Sequence, residues 1–117
     1  MPAPGRVPID KVTFGCFGDE RFLEHLRGLL PRRQLLVAGI ESHICVTQTV
    51  LGALRQGYDV HVAGDATSSR AESNWRVGLA RMERAGALLS STEMAIYELL
   101  RRSDSEAFKK ILPFLKA

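Results

Sequence analysis

The stretch from Gln34 to Gly57, QLLVAGIESHICVTQTVLGALRQG, constrains the fold more than any other part of the chain. It opens on a continuous apolar run, Leu35-Leu36-Val37-Ala38. Continuous rather than alternating hydrophobicity predicts a strand covered on both faces, as in a parallel sheet. Gly39 marks its expected end. A helix is expected from about His43 to Gln56, with Val46, Val50, Leu51 and Leu54 as its inward stripe and Gly57 just past its end.

The pattern then repeats. Asp59–Ala63 reads as a second strand, and Gly64–Ser69 as a polar loop at its carboxyl end. A helix over about Ala71–Ala85 turns Trp75, Leu79 and Met82 inward, and Gly86 closes it. Ala87–Ser90 is a short third strand. Thr92 is a candidate cap for a helix over Glu93–Leu100 carrying Ile96, Leu99 and Leu100. Ser103 or Ser105 can cap a last helix with Phe108, Ile111, Leu112 and Leu115 on one face and a break at Pro113. Strands alternating with helices predict an α/β layer fold with a parallel sheet. Right-handed crossovers put helices on both faces, a three-layer α/β/α arrangement.

Upstream the pattern is weaker. Met1–Pro8 holds three prolines and a glycine, so residues 1–10 are expected to be an extended segment ahead of a domain over 11–117. Lys11–Phe14 favours a short strand and Gly15–Gly18 a turn. Asp19 is a fair N-cap for a helix over Glu20–Leu30, with Phe22, Leu26, Leu29 and Leu30 on one face and Pro31 as its stop. A chain of 117 residues has room for one core. Its net charge of +3 comes from scattered basic residues, which fits solvated helix faces and argues against nucleic acid as partner. No apolar run approaches the roughly 20 residues of a membrane span. MPAPGRVPIDK lacks the apolar core of a secretory signal. The two cysteines, Cys16 and Cys45, stand in unlike contexts and suggest no disulfide framework. A reducing, cytoplasmic setting is expected, or the mitochondrion if a longer N-terminus precedes Met1. No His/Asp cluster has metal-ligand spacing, and no G-x-G-x-x-G follows a strand, so neither a metal nor a nucleotide cofactor is expected.

Cys45 is the candidate nucleophile. Reactive groups in open parallel sheets gather at the carboxyl ends of the strands, and Cys45 falls there, in the first turn of the expected helix. Free N–H groups at a helix start favour a thiolate and can hold an oxyanion. The competing reading is a small buried cysteine at a strand–helix junction. His43, two residues earlier, is a candidate base that the spacing turns away. His61 reads as a core or edge residue, Asp65 as a loop-shaping carboxylate, Trp75 as core, and Cys16 as a buried or pocket-lining thiol.

The segment GIESHICVTQTVLGALRQGYDVHVAGDATSSR, followed by RMERAGALLSSTEMAIYELL, resembles the isochorismatase-like cysteine hydrolases. The closing Phe108-Lys109-Lys110-Ile111 is similar to the small eukaryotic isochorismatase-domain subgroup. The resemblance covers the chain from about Lys11 onward and is looser before Pro31. It implies a Rossmann-like isochorismatase fold and an Asp-Lys-Cys triad. Cys45 would attack a small amide or a related electrophile to give a covalent intermediate that water releases. Lys11 matches the family lysine through DKVTFGCFGDERFLEHL, although Gly15-Cys16 stands where Ser is frequent. The resemblance also implies a cis Ile40–Glu41 peptide that aims the Glu41 N–H, with that of Cys45, at the oxyanion. No cofactor is implied, and homo-oligomers are.

The triad aspartate has no match. It lies in the family at the end of a first strand, and only ten residues precede Lys11. Asp10 points away if Lys11 points inward, and Asp65 matches a different position. The family's first strand pairs with the strand at Leu35–Ala38, so an unpaired apolar edge is expected there. Three readings follow: a fragment or mis-started frame, pairing through another subunit, or a shortened and catalytically silent relative. The function expected is a cysteine hydrolase impaired by the absent aspartate, and the alternative is a non-catalytic α/β module for oligomerisation or partner binding.

Overall fold

The structure is a computed structural model that describes residues 7–115. The stretch 1–6 of the expected extended segment lies outside the described residues, and 7–10 have no regular secondary structure. A 3₁₀ turn at Cys16–Gly18 leads into α1 (Glu20–Arg27), β1 (Gln34–Ile40), a π-helical turn at Ser42–Val46, and α2 (Thr47–Arg55). β2 (Asp59–Ser68), α3 (Glu72–Ala85), β3 (Leu88–Ser90), α4 (Thr92–Leu100) and α5 (Glu106–Leu115) follow. The three strands are parallel, in the order β1-β2-β3.

The core lies between one face of this sheet and helices α2 and α3. Val60 and Val62 of β2 meet Val46, Val50 and Ala53 from the α2 side and Met82 from α3, all buried. Burial of each of the larger side chains stabilises the fold by about 1.5–3 kcal/mol. The N-terminal segment is stapled on by aromatic contacts. Phe17 lies edge-on to Phe22 and to Tyr58, with ring centroids 5.3 and 6.1 Å apart. Gly52 permits this, since a Cβ there would stand 2.8 Å from Phe17 Cβ.

Several expectations are corrected. Lys11–Phe14 is not a strand but a bend, closed by side-chain bonds to its own carbonyls. α1 ends at Arg27 rather than Leu30, and a short turn carries the chain to Pro31. Asp19 does cap it, accepting from the Phe22 N–H at 3.1 Å. β1 runs on through Gly39, whose φ of 120° accommodates a bulge between Val37 and Gly39 that only glycine tolerates well. β1 is also not covered on both faces. Its residues alternate between exposed and half-buried, because among the described residues β1 lies at an edge of the sheet and one of its faces is left largely open.

The polar stretch Gly64–Ser68 is strand rather than loop, since Gly39 and Ile40 of β1 pair with Thr67 and Ser68. Ser91, not Thr92, caps α4, accepting from the Met94 N–H at 3.1 Å. Ser105 caps α5 through the Phe108 N–H, and Pro113 sits inside that helix without ending it. The other face of the sheet is only partly covered by α4, leaving Leu36 52% and Leu99 77% exposed.

Candidate active site

The chain leaves β1 through a cis Ile40–Glu41 peptide. The turn that follows is wider than an α-turn. The Glu41 carbonyl accepts from the Ile44 N–H at 3.1 Å and from the Val46 N–H at 3.2 Å, the second spanning five residues. The Thr47 hydroxyl donates to the Ser42 carbonyl at 2.6 Å, again across five residues, which satisfies an acceptor that the wide turn would otherwise leave open. Cys45 therefore lies in a π-helical turn, with α2 beginning two residues later; the expected regular helix from His43 is corrected to that extent.

This turn is pinned against α3. Ser42 is fully buried and its hydroxyl donates to the Trp75 carbonyl at 3.2 Å. Gly78 makes the approach possible: a Cβ there would lie 2.8 Å from Ser42 Oγ and 2.9 Å from His43 Cα. An isolated glycine in a helical pattern is the sequence signal for such a contact.

Lys11 reaches Cys45 from a segment 34 residues upstream. Its Nζ stands 3.9 Å from Cys45 Sγ and donates to the Thr13 and Phe14 carbonyls at 2.8 and 2.7 Å. An ammonium has three donors, so two hold it to its own turn and the third is directed to the sulfur. Both cysteines are free and partly exposed. Cys16 is fixed through its backbone, whose N–H donates to Thr49 Oγ1 at 3.0 Å. Among the described residues no carboxylate forms an ion pair with Lys11. Asp10 is exposed and engages Arg21 through its backbone carbonyl.

Other candidates are placed elsewhere. His43 Nδ1 is 2.9 Å from Ser69 Oγ, so its ring is engaged at the end of β2. Asp65 accepts from the Thr92 N–H and hydroxyl at 2.8 and 3.2 Å, joining β2 to the start of α4. Trp75 Nε1 donates to the Gly64 carbonyl and Thr67 Oγ1, and half-buried His61 lies under α4. Among the described residues no group of three or more His, Cys, Asp or Glu is arranged to hold a metal ion.

The sequence reading missed one contact. Glu41 Oε1 accepts from the backbone N–H and the Nε of Arg70, at 2.9 and 3.2 Å. The Arg70 backbone bond, with the guanidinium adding to it, holds the Glu41 carboxyl below its ordinary range. No sequence pattern marks this contact, because the two residues are 29 apart and meet only where β1 and β2 end together.

A parallel α/β sheet with a thiol and a lysine at the carboxyl end of its edge strand defines a class, and comparison with known proteins gives its family. The isochorismatase domain profile matches residues 1–94, and the chain belongs to the isochorismatase family. It is 36% identical over 117 residues to isochorismatase domain-containing protein 2A of Mus musculus, covering 99% of this chain and 57% of that protein. Among solved structures, the Mar1 ribonuclease of Caenorhabditis elegans superposes with a TM-score of 0.82 at 32% identity, over 92% of this chain and 54% of the other. The YcaC product of Escherichia coli, described as an octameric hydrolase of unknown specificity, gives 0.76 at 28% identity over 80% and 46%. The fold is therefore that of the isochorismatase-type hydrolases. The chain spans about half the length of the curated relatives it matches.

Proposed function

We propose that this chain carries the nucleophile half of a cysteine hydrolase site for a small amide or related substrate. The observation that supports it most is the Lys11 ammonium held 3.9 Å from Cys45 Sγ by two backbone carbonyls. In this reading Cys45 Sγ adds to the carbonyl carbon as a thiolate. The charge on oxygen is taken by the N–H groups of Glu41 and Cys45, and the C–N bond breaks as the nitrogen takes a proton from solvent water, releasing the amine. Water then cleaves the thioester to the acid and regenerates the thiol. No described carboxylate stands beside Lys11 to take the thiol proton, so turnover by the chain alone is slow. Like the octameric relative, the chain assembles as a homo-oligomer.

The second reading is a non-catalytic assembly module, favoured by the exposed Leu36, Leu88 and Leu99 on the α4 side and by the lack of a carboxylate beside Lys11 among the described residues. An RNA substrate has less support than a small amide. The basic residues are scattered over the chain rather than gathered in one run, and the net charge is only +3, which gives a phosphate backbone no concentrated track. The test is single-turnover release of amine from a panel of small amides, with an RNA oligomer alongside, for the wild type and Cys45→Ser. Trapping of an acyl group on Cys45 supports the hydrolase reading. No acyl adduct across the panel, with Cys45 alkylating no faster than Cys16, favours the assembly module.

A further inference from the structure

Three successive residues lead from β1 toward Cys45, and each is held by a different partner. Ser42 donates to the Trp75 carbonyl of α3, and the His43 ring meets Ser69 Oγ. Glu41 comes first and is held through its carboxylate. That side chain is only 19% exposed, so its charge is largely withdrawn from water and needs donors. Among the described residues Arg70 supplies them, with its backbone N–H at 2.9 Å and its Nε at 3.2 Å, both to Oε1. The Arg70 side chain is 88% exposed, so the backbone N–H is the better-fixed of the two donors. It lies two residues past Ser68, which pairs with Ile40 in the sheet, and so it is referenced to the strand end from which Glu41 departs. The main chain of Glu41 is gripped as well, its carbonyl accepting from the Ile44 and Val46 N–H groups. A residue held at its carbonyl and at its carboxylate has little freedom left about its N–Cα bond, and the direction of its own N–H is thereby set.

We propose that the Glu41 side chain is a positioning residue for acyl transfer at Cys45: by gripping Arg70 it aims the Glu41 N–H at the oxygen on which charge develops. This rests on the cysteine hydrolase reading and adds to it the group that orients the donor. A donor lowers the barrier only when it is already directed at the developing charge, and a charge-assisted bond to a backbone N–H is a strong and well-directed tether for that purpose. The consequence is a separation between two reactions of the same sulfur. Addition to an acyl carbon puts negative charge on oxygen and draws on the aimed N–H. Alkylation at a saturated carbon puts none there, and depends only on the access and charge of the thiol. Loss of the Glu41 tether therefore slows acylation and spares alkylation, whereas a collapsed turn slows both.

The test measures both rates on the full chain in a Cys16→Ser background, so that Cys45 is the one thiol. With p-nitrophenyl acetate the Cys45 Sγ–acyl bond forms and p-nitrophenolate departs, read by its absorbance. With iodoacetamide the Sγ–carbon bond forms and iodide departs, read by intact mass. Glu41→Ala should lower the ratio of acylation to alkylation rates at least about tenfold, less than the loss of a whole oxyanion donor. Glu41→Gln, which keeps an acceptor oxygen for the Arg70 N–H but not the charge, should fall between wild type and Glu41→Ala. Arg70→Met removes the Nε donor at an exposed position and should lower the ratio by a smaller factor; it carries the test if Glu41→Ala does not fold. An unchanged ratio overturns the proposal, as does a parallel fall of both rates, or a Glu41→Gln ratio as low as that of Glu41→Ala. A background chain whose Cys45 takes up no acyl group at all overturns the hydrolase reading, and this inference with it.

Discussion

The two faces of the sheet are built to different standards. The face under α2 and α3 holds Val50, Val62 and Met82 with no solvent exposure, and Cys45 stands on the turn that caps it. The face toward α4 leaves Leu36, Leu88 and Leu99 more than half exposed. The difference teaches that the turn carrying Cys45 is anchored on the packed face. Ser42, Thr47, Trp75 and Gly78 fix it from that side.

The largest test of this comparison is on Cys45 itself. Cys45→Ser should abolish the fast phase of iodoacetamide labelling at neutral pH, leaving only Cys16, as followed by intact-mass spectrometry. Stability should separate the faces next. Met82→Ala, on the packed face, should cost about 2–5 kcal/mol by urea unfolding. Leu88→Ala, on the open face, should cost no more than about 0.5 kcal/mol. Equal costs would erase the distinction. Gly78→Ala should cost about 1–3 kcal/mol by overpacking against Ser42 and His43, and should slow Cys45 labelling as well, coupling the turn to α3. Lys11→Met should slow labelling several-fold with little change in the urea midpoint, since a partly exposed lysine on a bend contributes mainly through its charge.

The smallest effect concerns Glu41. Its carboxyl sits below the ordinary 4.5 because Arg70 donates to the charged form. A depressed carboxyl contributes stability above that value and loses it as the pH falls through the folded-state value. The urea midpoint should therefore decline on acidification below about 4.5, slightly more in the wild type than in Glu41→Gln. A steeper decline in Glu41→Gln would reverse the sign and remove Arg70 as the cause.

Most of the packed face was legible from the sequence. The stripe Val46, Val50, Leu51 and Leu54 follows from period alone, Asp19 announces α1, and of the two candidate caps Ser103 and Ser105 the structure selects Ser105. β1 and β2 run longer than their patterns suggest because Gly39 and Gly64 look like stops, whereas one supports a bulge and both lie within strands. The apolar run of β1 was read as doubly covered because hydrophobicity records a preference for burial and not whether a neighbour supplies it. In the site, the approach of Lys11 to Cys45 was legible through family resemblance only. The Glu41–Arg70 contact and the π-helical turn depend on where two strands end in space, and no local pattern encodes that.

The bond between Asp65 and Thr92 has a consequence for motion. α4 and α5 lean on each other through Tyr97 and Phe108, whose ring centroids are 5.8 Å apart, while the carboxylate of Asp65 ties the start of α4 to the end of β2. Neither helix contains a fully buried residue among those described. Such a pair opens as one cooperative unit at a free energy well below that of global unfolding. Its amides should exchange with solvent together and ahead of those in α2, and Asp65→Asn should speed exchange across α4 first.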